Sequence, residues 1–157
     1  MKIWIWTLGK PHESYVKEGV EEFTKRISRY FPVEWRIIPP PKNGGKLPEI
    51  ELKKAEADKI LSLINTMDML VVLDESGLEF TCERLAQFIQ DRANENTTNL
   101  IFLIGGAFGV DERVMKRADR CWSLSKLVFP HQLVRLILSE QLYRACTIIR
   151  NEKYHHS

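Results

Sequence analysis

Cysteine is scarce in this chain and poorly placed for either of its structural uses. The 157 residues hold three, Cys82, Cys121 and Cys146, odd in number, far apart and without a Cys-x-x-Cys. That spacing supports neither a disulfide framework nor a zinc site, so no metal is expected, and a reducing cytoplasm is the simplest setting. Long apolar runs are missing as well. None approaches the roughly 20 residues that span a bilayer, so no membrane segment is expected. The opening Met1-Lys2-Ile3-Trp4-Ile5-Trp6 lacks a signal-peptide cleavage region and reads as a strand. Neither Gly-x-Gly-x-x-Gly nor Gly-Lys-Ser/Thr occurs, which removes the dinucleotide fingerprint and the P-loop. There is no internal repeat. The only linker-like run, Pro39-Pro40-Pro41, reads as a surface loop rather than a boundary. One domain over residues 1–157 is expected.

Net charge is also low, at +2, but it is unevenly spread. Residues 1–112 carry 14 Lys/Arg and 18 Asp/Glu, a balance of −4, while residues 113–157 carry 9 and 3, a balance of +6. Three of the four histidines lie in that basic third. Such a surface suits a polyanionic partner, or it serves solubility alone.

The apolar pattern alternates between two periods. Strands are predicted at Lys2–Leu8, Val33–Ile38, Met69–Leu73, Leu100–Ile104 and Trp122–Leu124. Helices are predicted at Glu13–Tyr30, from Pro48 to about Asn65, at Cys82–Asn94 with Thr81 as cap, at Asp111–Ala118 and at Gln132–Thr147. Asp74-Glu75-Ser76-Gly77 reads as a turn. Strands alternating with helices predict an α/β fold, a mostly parallel sheet with helices on both faces.

The densest information lies between Asn99 and His131. Gly105-Gly106-Ala107-Phe108-Gly109 follows an apolar strand, either as a tight turn needing positive φ or as a place where a ligand touches the backbone. Leu73 ends the neighbouring strand, as a last core residue or as the wall of an adenine pocket. Asp74 and Glu75 after it either hold ribose hydroxyls or sit in solvent. Leu124-Ser125-Lys126-Leu127-Val128-Phe129-Pro130-His131 places three consecutive apolar side chains in a loop, so the loop is expected to be buried. An adenine ring, its own domain or a second subunit are the candidate covers. The helix that follows carries too much apolar surface for one covered side, which points to a core plus a dimer interface. On it, Glu140 and Arg144 are spaced for a surface ion pair, and Arg135 and Arg144 are equally suited to a phosphate or a substrate carbonyl. The tail, Arg150 to Ser157, reads as a frayed end or as a proton-handling, base-stacking segment through Tyr154 and His155.

An ordered set of these motifs resembles a known family. Gly105-Gly106-x-x-Gly109, Ser123-Leu124-Ser125, Phe129-Pro130-His131-Gln132-Leu133-Val134-Arg135, Glu140-Gln141-Leu142-Tyr143-Arg144-Ala145 and Tyr154-His155 look like the RlmH family of SPOUT-class methyltransferases, over essentially the whole chain. The resemblance implies an α/β-knot with a C-terminal trefoil knot, which composition could not have shown, since true knots are rare. It implies S-adenosyl-L-methionine as methyl donor, a homodimer, and action on N3 of a pseudouridine in helix 69 of bacterial 23S rRNA in the ribosome. By matching motif, the cofactor falls to Leu73, Gly105, Leu124, Ser125, Lys126, Leu127, Val128 and Phe129. Tyr154 and His155, on a tail reaching the partner's cofactor site, and Arg144 become the catalytic residues. Some relatives have Arg or Lys where this chain has His156. No appended RNA-binding segment is read from the sequence, so recognition is expected from a dimer surface on a folded ribosome. The alternatives are a related SPOUT tRNA methyltransferase and a non-catalytic nucleotide-binding, ribosome-associated module.

Overall fold

Side chains that point alternately up and down sort the core into two layers. A computed structural model describes residues 1–156. Its strands are β1 (Lys2–Leu8), β2 (Val33–Ile38), β3 (Met69–Glu79), β4 (Asn99–Ile104) and β5 (Arg120–Ser123). Its helices are α1 (Ser14–Ile27), α2 (Glu49–Leu63), α3 (Cys82–Asn94), α4 (Glu112–Arg117) and α5 (His131–Ile149), with a 3₁₀ turn at Gly44–Lys46. Ile3 and Ile5 of β1, Val71 of β3, and Leu100, Phe102 and Ile104 of β4 share one cluster with Leu138, Leu142 and Ala145 of α5. Trp6, Leu8, Leu70, Val72, Ile101 and Leu103 share the other with Ala57 and Ile60 of α2 and Val114 of α4. Burying each of these larger side chains contributes about 1.5–3 kcal/mol.

The sheet is all parallel, in the order β2-β1-β4-β3-β5. Its near-continuous apolar central strands are those of a sheet covered on both faces. Thr81 caps α3 as expected, its hydroxyl accepting from the Arg84 N–H at 3.2 Å.

Asp74–Gly77 is not a turn that ends β3. Leu73 and Leu78 both stand opposite Trp122, and the four residues between them arch outward as an irregularity inside one long strand. Asp74 Oδ1 stabilises the arch by accepting from the Ser76 N–H at 2.9 Å. Gly77 permits it, because a Cβ there would meet the Cys121 carbonyl carbon at 2.7 Å. Acids and glycine favour turns in isolation, and here strand pairing with β5 overrides them.

Over residues 150–156 the tail is not frayed either, and Ser157 lies outside the described residues. Asn151 adopts φ 55°, a left-handed conformation that asparagine tolerates, and its N–H donates to the Ile148 carbonyl at 3.0 Å. The chain therefore doubles back along α5 after Ile149. Tyr30 Oη donates to Glu152 Oε2 at 2.5 Å and fixes the return.

Candidate active site

The carboxyl ends of β4 and β5 and the arch of β3 meet at one place. Leu73 comes from β3 just before its arch, Ile104 and Gly105 from the end of β4, and Ser123 and Leu124 from the end of β5. Together they line a cleft of about 380 Å³, within the ~300–1,000 Å³ of ordinary ligand pockets. A cleft beyond the carboxyl edge of a parallel sheet is where such folds bind ligands. The glycine loop forms one wall. Gly109 has φ 79°, and its N–H donates to the Gly106 carbonyl at 3.0 Å, so a tight turn is present. The loop is also closely fitted, since a Cβ on Gly105 would lie 2.9 Å from Val110 Cγ1. The tight-turn reading of the glycine run thus holds, and the same glycines line the cleft.

The opposite wall is the segment after β5. Ser123 Oγ donates to the Ser125 carbonyl at 2.9 Å, and the Leu127 N–H donates to Ser125 Oγ at 3.0 Å. These bonds shape the loop without burying its side chains. Leu127 is 71% exposed and Val128 81%, so the expected burial is not supplied by this chain itself. Of the expected cofactor residues, Leu73, Gly105, Leu124, Ser125, Leu127, Val128 and Phe129 line the cleft, and Lys126 does not. Its ammonium turns to Glu79 at 3.8 Å and to the Glu75 carbonyl at 3.4 Å. Asp74 and Glu75 lie at the rim. His131, read as the end of the apolar loop, also lines the cleft, as does Val134, which was not expected there because the start of an apolar helix reads as core.

A second cluster lies further along α5. Arg144 pairs with Glu140 at 2.5 Å, and its guanidinium stands 4.8 Å from the Tyr154 ring centroid. Tyr154 Oη donates to Glu140 Oε1 at 3.1 Å, and its ring meets that of Tyr143 edge-on at 4.7 Å. His155 Nε2 lies 2.8 Å from Glu83 Oε1, and His155 Nδ1 lies 3.5 Å from Arg144 Nη1. An arginine N–H facing Nδ1 leaves that nitrogen with a lone pair and puts the ring proton on Nε2, toward Glu83. The Glu83 carboxyl is held below its usual range by its own backbone N–H, then by His155 and Thr81. Burial, then Glu140, raises the Tyr154 phenol, so it keeps its proton at neutral pH. The Glu140 hydrogen bond raises Arg144 further, so its charge is permanent.

The expected catalytic residues Arg144, Tyr154 and His155 are therefore together. They are not beside the cleft of their own chain. From His131 at the cleft to Arg144, α5 advances about 20 Å at 1.5 Å per residue. Glu83 completes the cluster and was not read as a site residue, because its proximity depends on how α3 packs against α5, while Glu140 was read only as the ion-pair partner of Arg144. Among the described residues no cluster of His, Cys, Asp and Glu could hold a metal ion, and no helix is long and apolar enough to cross a membrane.

Comparison with known proteins decides the family. The family model described as "Predicted SPOUT methyltransferase" matches residues 1–155. The chain belongs to the SPOUT methyltransferase family. A relative from Cytophaga hutchinsonii, named ribosomal RNA large subunit methyltransferase H, is 50% identical over 156 residues, covering 99% of this chain and 100% of its own length. Proteins of the same name from Parabacteroides distasonis and Christiangramia forsetii are 40% and 42% identical, each covering 99% of both chains. The parallel α/β sheet is the one that SPOUT membership and the strand–helix alternation call for.

Proposed function

We propose that this chain is an S-adenosyl-L-methionine-dependent methyltransferase acting, as a homodimer in the cytoplasm, on N3 of a pseudouridine in helix 69 of bacterial 23S rRNA. The family and its named relatives support the reaction class and the rRNA substrate. One observation supports the dimer: the cleft and the Arg144–Tyr154–His155 cluster lie at opposite ends of α5. Leu133, Ile137, Glu140 and Arg144 recur at helical spacing along one face. Leu133 and Ile137 are half-buried and belong to neither core cluster. Pairing two antiparallel copies of α5 about a two-fold axis near Ile137 brings Arg144 of one chain level with the first turn of α5 in the other, about 10 Å on either side of the axis. It also covers apolar surface near Leu127 and Val128. The deep C-terminal trefoil knot belongs to this reading, as does a single domain spanning the chain.

The cleft fits the donor. Gly105 and Gly106 bring backbone close, Leu73, Leu127 and Val128 supply apolar faces, and loop carbonyls and N–H groups supply a hydrogen-bonding edge. When bound, the donor contributes a methyl already activated on sulfonium, so no covalent enzyme intermediate is required. The chain's residues do the rest. Loops on both sides of the cleft hold the reactants in line, worth on the order of 7–11 kcal/mol when contact geometry is reached. Once Arg144 turns from Nδ1 to the uracil carbonyls, His155 Nδ1 accepts the N3 proton while Glu83 fixes the ring, a contribution of roughly 10²–10⁴-fold. Tyr154 donates to the base or stacks on it. Arg144 faces the uracil carbonyls as negative charge develops there. The basic segment 113–157 supports contact with rRNA phosphates.

Subunit complementation tests this. Leu127→Asp spoils the cleft and His155→Ala spoils the tail, and each alone is inactive. Mixed dimers recover roughly a quarter of wild-type methyl transfer to ribosomes lacking the modification, because half the dimers are mixed and one of their two sites is intact. The product maps to N3 of the pseudouridine, and a short free hairpin is a poor substrate. Mixed dimers that form without recovering activity refute the shared site. Methylation of tRNA instead, or no S-adenosyl-L-methionine binding at all, refutes the substrate or the enzyme.

A further inference from the structure

Four exposed cations gather where α1 and α5 end side by side. Lys25 lies in the last turn of α1, Arg29 just beyond it, and Arg150 and Lys153 follow α5. Tyr30 joins the two ends. Its hydroxyl donates to Glu152 Oε2 at 2.5 Å, and burial, then Glu152, pushes the phenol up to about 12, so the proton stays in place. Arg150 lines a small cavity with Tyr30 and Phe31. Residues 25–31 and 150–156 hold five Lys/Arg and a single acid, Glu152. Arg26 is already engaged, paired with Glu22 at 2.8 Å and lying over the Phe23 and Tyr143 rings. Among the described residues the other four make no ion pair. Glu21, one turn before Lys25, pairs with Lys17 instead, at 4.0 Å.

Ordinary surface charge looks different. On α2, Lys53, Lys54 and Lys59 interleave with Glu49, Glu51, Glu56 and Asp58. The dipole of a helix favours cations in its last turn, and the effect fades beyond it. That explains Lys25 and leaves Arg29 and Lys153, which lie outside both helices. The patch also has a telling position. Tyr30 stands 6.3 Å from Tyr143, and Tyr143 stands 4.7 Å from Tyr154, so a row of rings connects it to the Arg144–Tyr154–His155 cluster. Along α5, Arg150 lies about 9 Å past Arg144, on the side away from the cleft of its own chain. Exposed cations without acids among them suit a run of phosphates, since each contact releases a counterion from the nucleic acid.

We propose that Lys25, Arg29, Arg150 and Lys153 hold the RNA backbone that flanks the target nucleotide, so that the subunit lending its tail also grips the strand. This rests on the shared-site reading above. It brings in the end of α1, which lies outside the basic segment 113–157.

Steady-state methyl transfer to ribosomes lacking the modification tests this with the full chain. The triple variant Lys25→Gln/Arg29→Gln/Lys153→Gln raises KM for ribosomes about tenfold or more and keeps kcat within about twofold. The slope of log KM against log salt, taken between about 50 and 200 mM, falls by about 2. Lys54→Gln/Lys59→Gln on α2 changes neither. Hydroxyl-radical footprinting shows wild type protecting rRNA backbone beside the pseudouridine and the triple variant leaving it open. An unchanged KM and salt slope overturns the proposal, and a lowered Tm alone assigns the cations to the helix ends. Backbone protection kept by the triple variant overturns it too, because the cations then meet something other than RNA. Should the triple variant not fold, Lys25→Gln and Lys153→Gln singly each lower the slope by about 0.7–0.9. Mixed dimers of Leu127→Asp and His155→Ala chains locate the grip. Adding the triple substitution to the Leu127→Asp chain, which lends the working tail, raises KM, whereas adding it to the His155→Ala chain does not. The reverse pattern overturns the assignment to the tail-lending subunit. Wild type that methylates no ribosome refutes the proposed function itself.

Discussion

Alanine at Gly77 should cost far more than alanine at Gly19, although both glycines are closely packed. At Gly77 an added Cβ meets the Cys121 carbonyl carbon at 2.7 Å and its oxygen at 2.8 Å. Ordinary contact begins near 3.4 Å, so β3 and β5 must part by more than half an ångström. Backbone cannot rotate away as a side chain does, which places the cost near the top of the ~1–3 kcal/mol range for overpacking. Restricting the unfolded chain returns about 0.4–1 kcal/mol, leaving a net loss near 2 kcal/mol. For a chain of this size that lowers Tm by about 5 °C. At Gly19 the closest atom is Leu136 Cδ1 at 2.6 Å, the end of a half-buried flexible side chain. Alanine inside α1 gains about 1 kcal/mol of helix propensity, so Gly19→Ala lies near zero. Urea titration of both variants measures this. Gly77→Ala also displaces Trp122 and Ser123, which start the cleft loop, so calorimetry shows weaker S-adenosyl-L-methionine binding. A Gly77→Ala protein as stable as wild type, or a larger loss at Gly19, refutes the reasoning.

Other consequences are as direct. His12 is held neutral below its ordinary value of 6.5, first by burial and then by Arg135. Below pH 6.5 the unfolded chain takes up a proton that the folded chain resists, so stability falls as pH drops through 6.5 to the lower folded value. Urea midpoints measured on acidification should show this slope in wild type and lack it in His12→Gln. Cys146 is fully buried and its thiol is pushed up to about 12, chiefly by burial, so iodoacetamide labels it only after unfolding while half-buried Cys82 and Cys121 react earlier. Mass mapping of labelled thiols reads the order. Ile137→Asp puts a charge at the proposed two-fold axis, so sedimentation finds monomer and methyl transfer is lost with the fold intact; an active monomer contradicts the shared site.

How much was legible beforehand follows from the range of each interaction. β1, β2 and α3 have the expected bounds because their signals are local: period-two apolar residues, helical spacing and the Thr81 cap. The cleft's glycine loop and the Leu124–Phe129 segment stood out for the same reason, since glycine runs and apolar loops are rare in themselves. The continuation of β3 past Leu73 did not, because it depends on Gly77 meeting the backbone of β5. Strand order was equally hidden, with β4 lying between β1 and β3. Glu83 is 72 residues from His155, and nothing in its surroundings marks it as the imidazole's partner.

The distance along α5 gives the molecule its logic. On the proposed reading two clusters each carry half of a methyl-transfer site, one made of backbone and apolar walls, the other of proton-handling and charged side chains. A single short chain cannot bring them together, because the helix separating them is rigid and its flanks are packed against α1 and α3. The proposed pairing of two copies about that helix's open face would join the halves. It also explains why the tail is fixed so firmly by Asn151, Tyr30 and Glu140. Residues that must act in a neighbour's cleft need a defined place before the neighbour arrives, since ordering a loose tail at each encounter costs about 1–2 kcal/mol per residue.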